Sequence, residues 1–165
     1  TSPRSANVHL TGLGAKYASG PFFAATTYET ANNPKGGKET HLQMGATYDF
    51  KAVMLHVAYA RETGQFTTDL NVSGTTNGAD ATAYMVGASV PLGGGVIRAS
   101  YQSRNGSVVG TENRDYDVVS LGYEYFFSKR TSLYGAVGDL NGKGSLATAT
   151  AFNRRTITVG LLHKF

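Results

Sequence analysis

Apolar and polar residues alternate one for one along much of this chain. Between Thr40 and Phe50, Leu42, Met44, Ala46, Tyr48 and Phe50 fall on one side, and His41, Gln43, Gly45, Thr47 and Asp49 on the other. Successive side chains of a β-strand point to opposite faces, so each such run reads as a two-faced strand. Val53, Leu55, Val57 and Tyr59 form the next apolar stripe. Tyr84, Val86, Ala88 and Val90 follow, then Val119, Leu121, Tyr123, Tyr125 and Phe127, and finally Ile157, Val159, Leu161, His163 and Phe165. No window carries the i, i+3, i+4, i+7 spacing of an amphipathic helix. The pattern predicts nine strands, at about 7–19, 22–30, 40–50, 52–61, 82–90, 96–104, 116–127, 131–140 and 154–165, with weak alternation in the first, second and eighth. At ~9–12 residues they exceed the usual length of about five or six. They match the ~9–11 residues of a tilted strand that crosses a bilayer.

The connections sort by length. Gly20-Pro21, Phe50-Lys51, Pro91–Gly95 and Ser128–Arg130 are short; Ala31–Glu39, Glu62–Ala81, Asn105–Asp115 and Asn141–Asn153 are long and polar. Short and long alternate, and an antiparallel meander places alternate connections at opposite ends. All short turns therefore share one end, the arrangement of an outer-membrane barrel with short periplasmic turns and long outside loops. The aromatics form two bands. Tyr17, Phe22, Tyr48, Phe50, Tyr125, Phe126, Phe127 and Phe165 sit near the short turns; Tyr28, Tyr59, Tyr84, Tyr101 and Tyr116 sit near the long loops. Such rings concentrate at both faces of a bilayer.

Composition narrows the class further. Charged residues are 16% of the 165, against about 25% in average soluble proteins. There is no cysteine, which excludes thiolate chemistry and disulfides. No apolar run approaches the ~20 residues of a spanning helix, and the first residues lack the build of a signal peptide. His9, His41, His56 and His163 have no metal-ligand spacing. His56 with Ser100 or Ser120 is the one conceivable serine–histidine pair, and a flexible turn is the better reading of Gly93-Gly94-Gly95 than a phosphate cradle. The basic residues are scattered rather than striped, which argues against nucleic acid as a partner. Nothing here calls for catalysis or a cofactor.

Three stretches carry a family resemblance. The last strand, T-I-T-V-G-L-L-H-K-F, ends on Phe165 after alternating apolar residues, and resembles the C-terminal signal that the barrel-assembly machinery of the outer membrane reads. The runs Ala15–Pro34 and Tyr123–Tyr134, the latter with its S-K-R-T-S-L-Y turn, resemble the trimeric general porins of β-proteobacteria. The resemblance implies a transmembrane antiparallel up-and-down β-barrel of about sixteen strands, a homotrimer, and passive diffusion of small hydrophilic solutes and ions. It also implies contact with membrane lipid and lipopolysaccharide, and a third outer loop folded into the pore. On this reading residues 1–165 are the C-terminal part of a single barrel domain, about its eighth to sixteenth strands. An odd strand count with the last strand running toward the periplasm places Thr1 on the outer side, as in a chain cut from an outer loop. Two other readings stay open: a small closed outer-membrane barrel serving as adhesin or anchor, and a soluble ligand-binding barrel.

In a barrel the function lies in the inward phase. Opposite the apolar stripes stand Lys16, Gln43, Asp49, His56, Arg98, Gln102, Arg104, Glu124 and Lys164, the candidate pore-lining residues. Arg98 is mid-strand, where facing lipid would cost about 2–4 kcal/mol. It either lines the pore and attracts anions, or pairs with Glu124 and braces the wall. Arg104, Arg114, Arg154 and Arg155 lie toward the outer mouth. Counting the nine candidates, bases outnumber acids, which predicts a weak anion preference.

Overall fold

An extended backbone can satisfy its N–H and C=O groups only on a neighbouring strand, and this chain repeats that solution from end to end. A computed structural model describes residues 9–32, 38–65, 79–108, 114–144 and 146–165. The strands are β1 (Leu10–Ser19), β2 (Phe22–Asn32), β3 (Lys38–Asp49), β4 (Met54–Gln65), β5 (Ala79–Leu92), β6 (Gly95–Val108), β7 (Arg114–Phe126), β8 (Thr131–Gly144) and β9 (Asn153–His163). They form one nine-stranded antiparallel sheet in sequence order, with β1 and β9 as its edges. One short 3-10 turn, Thr150–Phe152, precedes β9.

The short turns are built from local chemistry. The β5–β6 hairpin needs left-handed backbone at both central residues, and Gly93 and Gly94 supply it at φ 55° and 81°. The Asp49 carboxylate accepts the Lys51 N–H at 2.6 Å and closes the β3–β4 turn. The Ser128 hydroxyl accepts the N–H groups of Arg130 and Thr131, each at 3.1 Å, and closes the β7–β8 turn.

All nine strands stand where the alternation puts them, but their ends differ. β3 starts at Lys38, β4 runs to Gln65, β5 starts at Ala79, and β6 and β8 run to Val108 and Gly144. The ladder thus continues into sequence that is polar on both faces and carries no apolar signal. Two of the outer connections shrink to 33–37 and 109–113. At the short-turn end Phe50, Phe127, Lys164 and Phe165 fall outside the ladder, and the expected start of the first strand at Asn7 lies outside the described residues.

Register joins the stripes into continuous rows. One row runs Tyr17, Ala24, Ala46, Val57, Val86, Tyr101, Val119; the next runs Phe22, Tyr48, Leu55, Ala88, Ala99, Leu121, Val137, Ile157. Among the described residues Ala81 is the one buried apolar side chain, while Ile157, Val159 and Leu161 stand 65–74% exposed on the outward face. The sheet is a wall one layer thick. Its apolar face has no partner among the described residues to bury it, which fits an apolar medium outside.

Candidate pore wall

Directly paired residues of an antiparallel ladder share a face, so the register assigns every strand residue to one side. Lys16, Gln43, Asp49, His56, Arg98, Gln102, Arg104 and Glu124 all fall on the face opposite the apolar rows. Lys164 follows β9 in the same phase as Leu162, its N–H bonded to Arg130 O at 2.9 Å. Between these polar groups the face is made mostly of small residues on β1–β4, and Met85, Val118, Leu140 and Tyr116 add bulk toward β9. One row reads Lys16, Ala25, Gly45, Ala58, Met85, Gln102, Val118, Leu140, Arg154; its neighbour reads Gly14, Thr27, Gln43, Ala60, Ala83, Arg104, Tyr116, Gly142. Hollows open on this face. An outer one of about 480 Å³ is lined by Gln43, Gln102, Arg104 and Tyr116, and a second of about 630 Å³ by His56, Arg98, Ser120 and Glu124.

Within this face the candidates are not equivalent. The Arg98 guanidinium donates to Glu124 Oε2 at 2.8 Å, and the Ser132 hydroxyl donates to Glu124 Oε1 at 2.7 Å. Arg98 is therefore an ion-paired brace across β6, β7 and β8, and its charge is matched locally. His56 Nε2 is bonded to Ser89 Oγ at 2.9 Å. Ser100 and Ser120 lie two and three strands away from His56 in its row, about 10 and 14 Å, too far for proton transfer. His163 lies on the apolar face, bonded to Thr131 Oγ1 at 2.9 Å and edge-on to Phe165, with ring centroids 5.0 Å apart.

Residues outside the nine candidates also belong to the inward face. Glu29, His41 and Glu62 share one row, with Glu39 two positions along β3. His41 sits between carboxylates, Nε2 at 3.8 Å from Glu39 and Nδ1 at 3.8 Å from Glu62. Arg154 joins from β9. These additions balance the charge count: Lys16, Arg98, Arg104, Arg154 and Lys164 against Glu29, Glu39, Asp49, Glu62 and Glu124. The outer acids stand on β2–β4 and the arginines on β6 and β9, so the two signs are separated across the wall. Arg155 does not point into the mouth. It lies on the apolar face and clasps Asp139 through Nε at 2.7 Å and through a second bond at 3.1 Å. The Arg114 side chain lies outside the described residues.

A membrane-length meander with one lipid-compatible face and one face of small and charged residues is an outer-membrane β-barrel wall. Comparison with known proteins carries the assignment further. The sequence profile of the Gram-negative porins matches residues 2–145, and the chain belongs to that family. It is 30% identical over 188 residues to an outer membrane porin protein of Bordetella pertussis, covering 96% of this chain and 47% of that one. It is 32% identical to major outer membrane protein P.IB of Neisseria meningitidis, covering 92% and 46%. In structure it resembles an anion-selective porin from Comamonas acidovorans, with TM-score 0.74, 23% identity, and coverage of 94% and 49%. It likewise resembles OmpT of Vibrio cholerae, with TM-score 0.70, 14% identity, and coverage of 94% and 55%. The chain spans about half the length of the relatives it matches. It is a protein of the bacterial outer membrane.

Proposed function

We propose that this chain forms part of the wall of a general diffusion porin, a water-filled channel through which small hydrophilic solutes and ions pass passively. The observation that carries this reading is the make-up of the inward face. Gly12, Gly14, Ala18, Ala25, Gly45, Ala58, Ala60 and Ala83 stand between charged residues on it. A small closed barrel fills its interior with interlocking side chains. These residues cannot fill one, and the arginines and glutamates among them call for water. That disfavours the compact adhesin or anchor. The candidate pore-lining residues are the nine expected from the sequence, joined by Glu29, Glu39, His41, Glu62 and Arg154.

The remainder of the barrel would come from about as many strands again, which supports placing β1–β9 as the C-terminal part of about sixteen. A homotrimer in lipid and lipopolysaccharide, with Phe165 as the signal to the assembly machinery, completes the proposal. A weak anion preference belongs to it as well. Arg98 is matched by Glu124, whereas Lys16, Arg104 and Arg154 have no carboxylate partner among the described residues. The test is conductance of the full-length protein in planar bilayers, with swelling of loaded liposomes in neutral sugars of increasing size. Ohmic conductance and a size cut-off are expected. A folded, membrane-inserted protein with neither would overturn the reading.

A further inference from the structure

The charge count of the inward face does not say which residue an anion meets, but the side-chain contacts do. Arg98 is held by Glu124, so a passing anion finds a neutral pair there. Arg104 is placed differently. It lies on β6 directly opposite Ala83 and Tyr116, with Gln102 beside it on the same face. Its guanidinium carbon stands 5.9 Å from the Tyr116 ring centroid, within reach of a cation–π contact. Behind Tyr116 stands Phe152, with ring centroids 5.9 Å apart. The stack thus joins β6, β7 and the connection between β8 and β9 at the outer hollow.

Phe152 is held by its own loop. The Asn153 side-chain amide donates to the carbonyls of Leu146, Ala147 and Ala149 at 2.8–3.1 Å, and its oxygen accepts the Gly142 N–H at 3.3 Å. Only glycine fits at 142, because a Cβ there would overlap Leu146. The loop is therefore tied down, and Phe152 is presented to the inward face rather than left to solvent. A flexible arginine in water loses little by drifting from a solute. One held by an aromatic ring keeps its planar donors in the channel and loses less entropy on each encounter.

We propose that Arg104 is the residue of this wall that selects small anions such as chloride and short carboxylates at the outer part of the channel, and that Tyr116 and Phe152 are positioning residues for it. The proposal rests on the channel reading above. The experiment is the anion-to-cation permeability ratio of the full-length channel in planar bilayers, from zero-current potentials in potassium chloride and potassium acetate gradients. Arg104→Ala should lower the ratio about tenfold, because one unit charge at about 6 Å in water gives a Boltzmann factor of about three that favours the anion and disfavours the cation alike. The joint change Asp139→Asn with Arg155→Gln removes a neutral pair from the outward face and should leave the ratio in place. Phe152→Ala should lower it part of the way with the charge intact, and Phe152→Tyr should restore it. A parent without ohmic conductance would overturn the channel reading itself. A conducting parent whose ratio ignores Arg104→Ala, or moves as much when the Asp139–Arg155 pair is removed, would overturn this proposal alone.

Discussion

Two adjacent residues of β4 offer the sharpest test of the face assignment. Val57 is outward, paired with Ala46 and Val86 and flanked along its own strand by Leu55 and Tyr59; Ala58 is inward, paired with Gly45 and Met85. An arginine at position 57 would stand midway along the apolar stretch of β4 on the lipid side. The cost at the bilayer midplane is about 2–4 kcal/mol, which multiplies the unfolded-to-folded ratio by about 30 to 900. At position 58 the same side chain would reach into water over a glycine. Its cost should fall within the ~0.5 kcal/mol of an ordinary exposed substitution. One position along the chain thus separates a severe effect from a small one, because the side-chain period of a strand is two. The assay is reversible unfolding of each variant in lipid vesicles, read from the mobility of folded and unfolded forms on a cold gel and from tyrosine fluorescence. Equal destabilisation at 57 and 58, or a larger loss at 58, would refute the register-based faces and every inward residue named from them.

Two further outcomes follow from the same geometry. Deleting Phe165, which is fully exposed and stands edge-on to His163, should reduce the amount assembled in the outer membrane while the purified barrel keeps its unfolding midpoint; fractionation and vesicle unfolding measure the two separately. Gly142→Val should loosen the β8–β9 connection, seen as faster limited proteolysis within residues 146–152, because no side chain fits against Leu146.

The faces were legible in the sequence because β-alternation is strict wherever one side must be apolar. From Leu42 to Phe50 nothing else explains the order of residues. That same signal stops at the membrane border, although the ladder does not. Glu39 and Glu62 lie one residue outside the strands drawn from the apolar pattern, and Glu29 lies in a strand whose alternation is diluted by threonine and alanine. All three therefore dropped out of the charge count, and a preference of bases over acids became a balance. Counting parity three residues past the last apolar position of each stripe, Leu42 and Tyr59, would have recovered Glu39 and Glu62. The pairing of Arg98 with Glu124 was legible as one of two alternatives, since both lie inward on neighbouring strands; only the register, with Val96 opposite Glu124, brings them within reach. The contact of Phe152 with Tyr116 had no sequence signal. It depends on how Asn153 folds the connection behind it, and a lone asparagine in a polar loop says nothing of the carbonyls it will meet.

The outward ion pair of Asp139 and Arg155 belongs, by register, to the same row as Val57 and Val86. A charged pair at the depth of Val57 would be costly, and the stagger of the turns shows why it is not there. The row that starts at Phe22, the first residue of β2, reaches β7 at Leu121, whereas β7 continues to Phe126 before it turns. That stagger of five residues is about 16 Å along the strand, over five strand spacings of about 24 Å. The ratio sets a tilt of about 35°, at the lower edge of the range for closed barrels. A row perpendicular to tilted strands climbs through the membrane as it crosses the sheet. The row of Met44, inside the apolar stretch of β3, passes through Tyr59, Tyr84 and Ser103 and reaches β7 at Asp117, beyond the apolar run that starts at Val119. On β9 the apolar stretch has shifted down to Ile157, Val159 and Leu161. Arg155 and Asp139 therefore stand above the apolar band on their own strands, at the outer border. There their bidentate pair satisfies both charges at the level of the headgroups, and the apolar band stays level while the register runs diagonally across it.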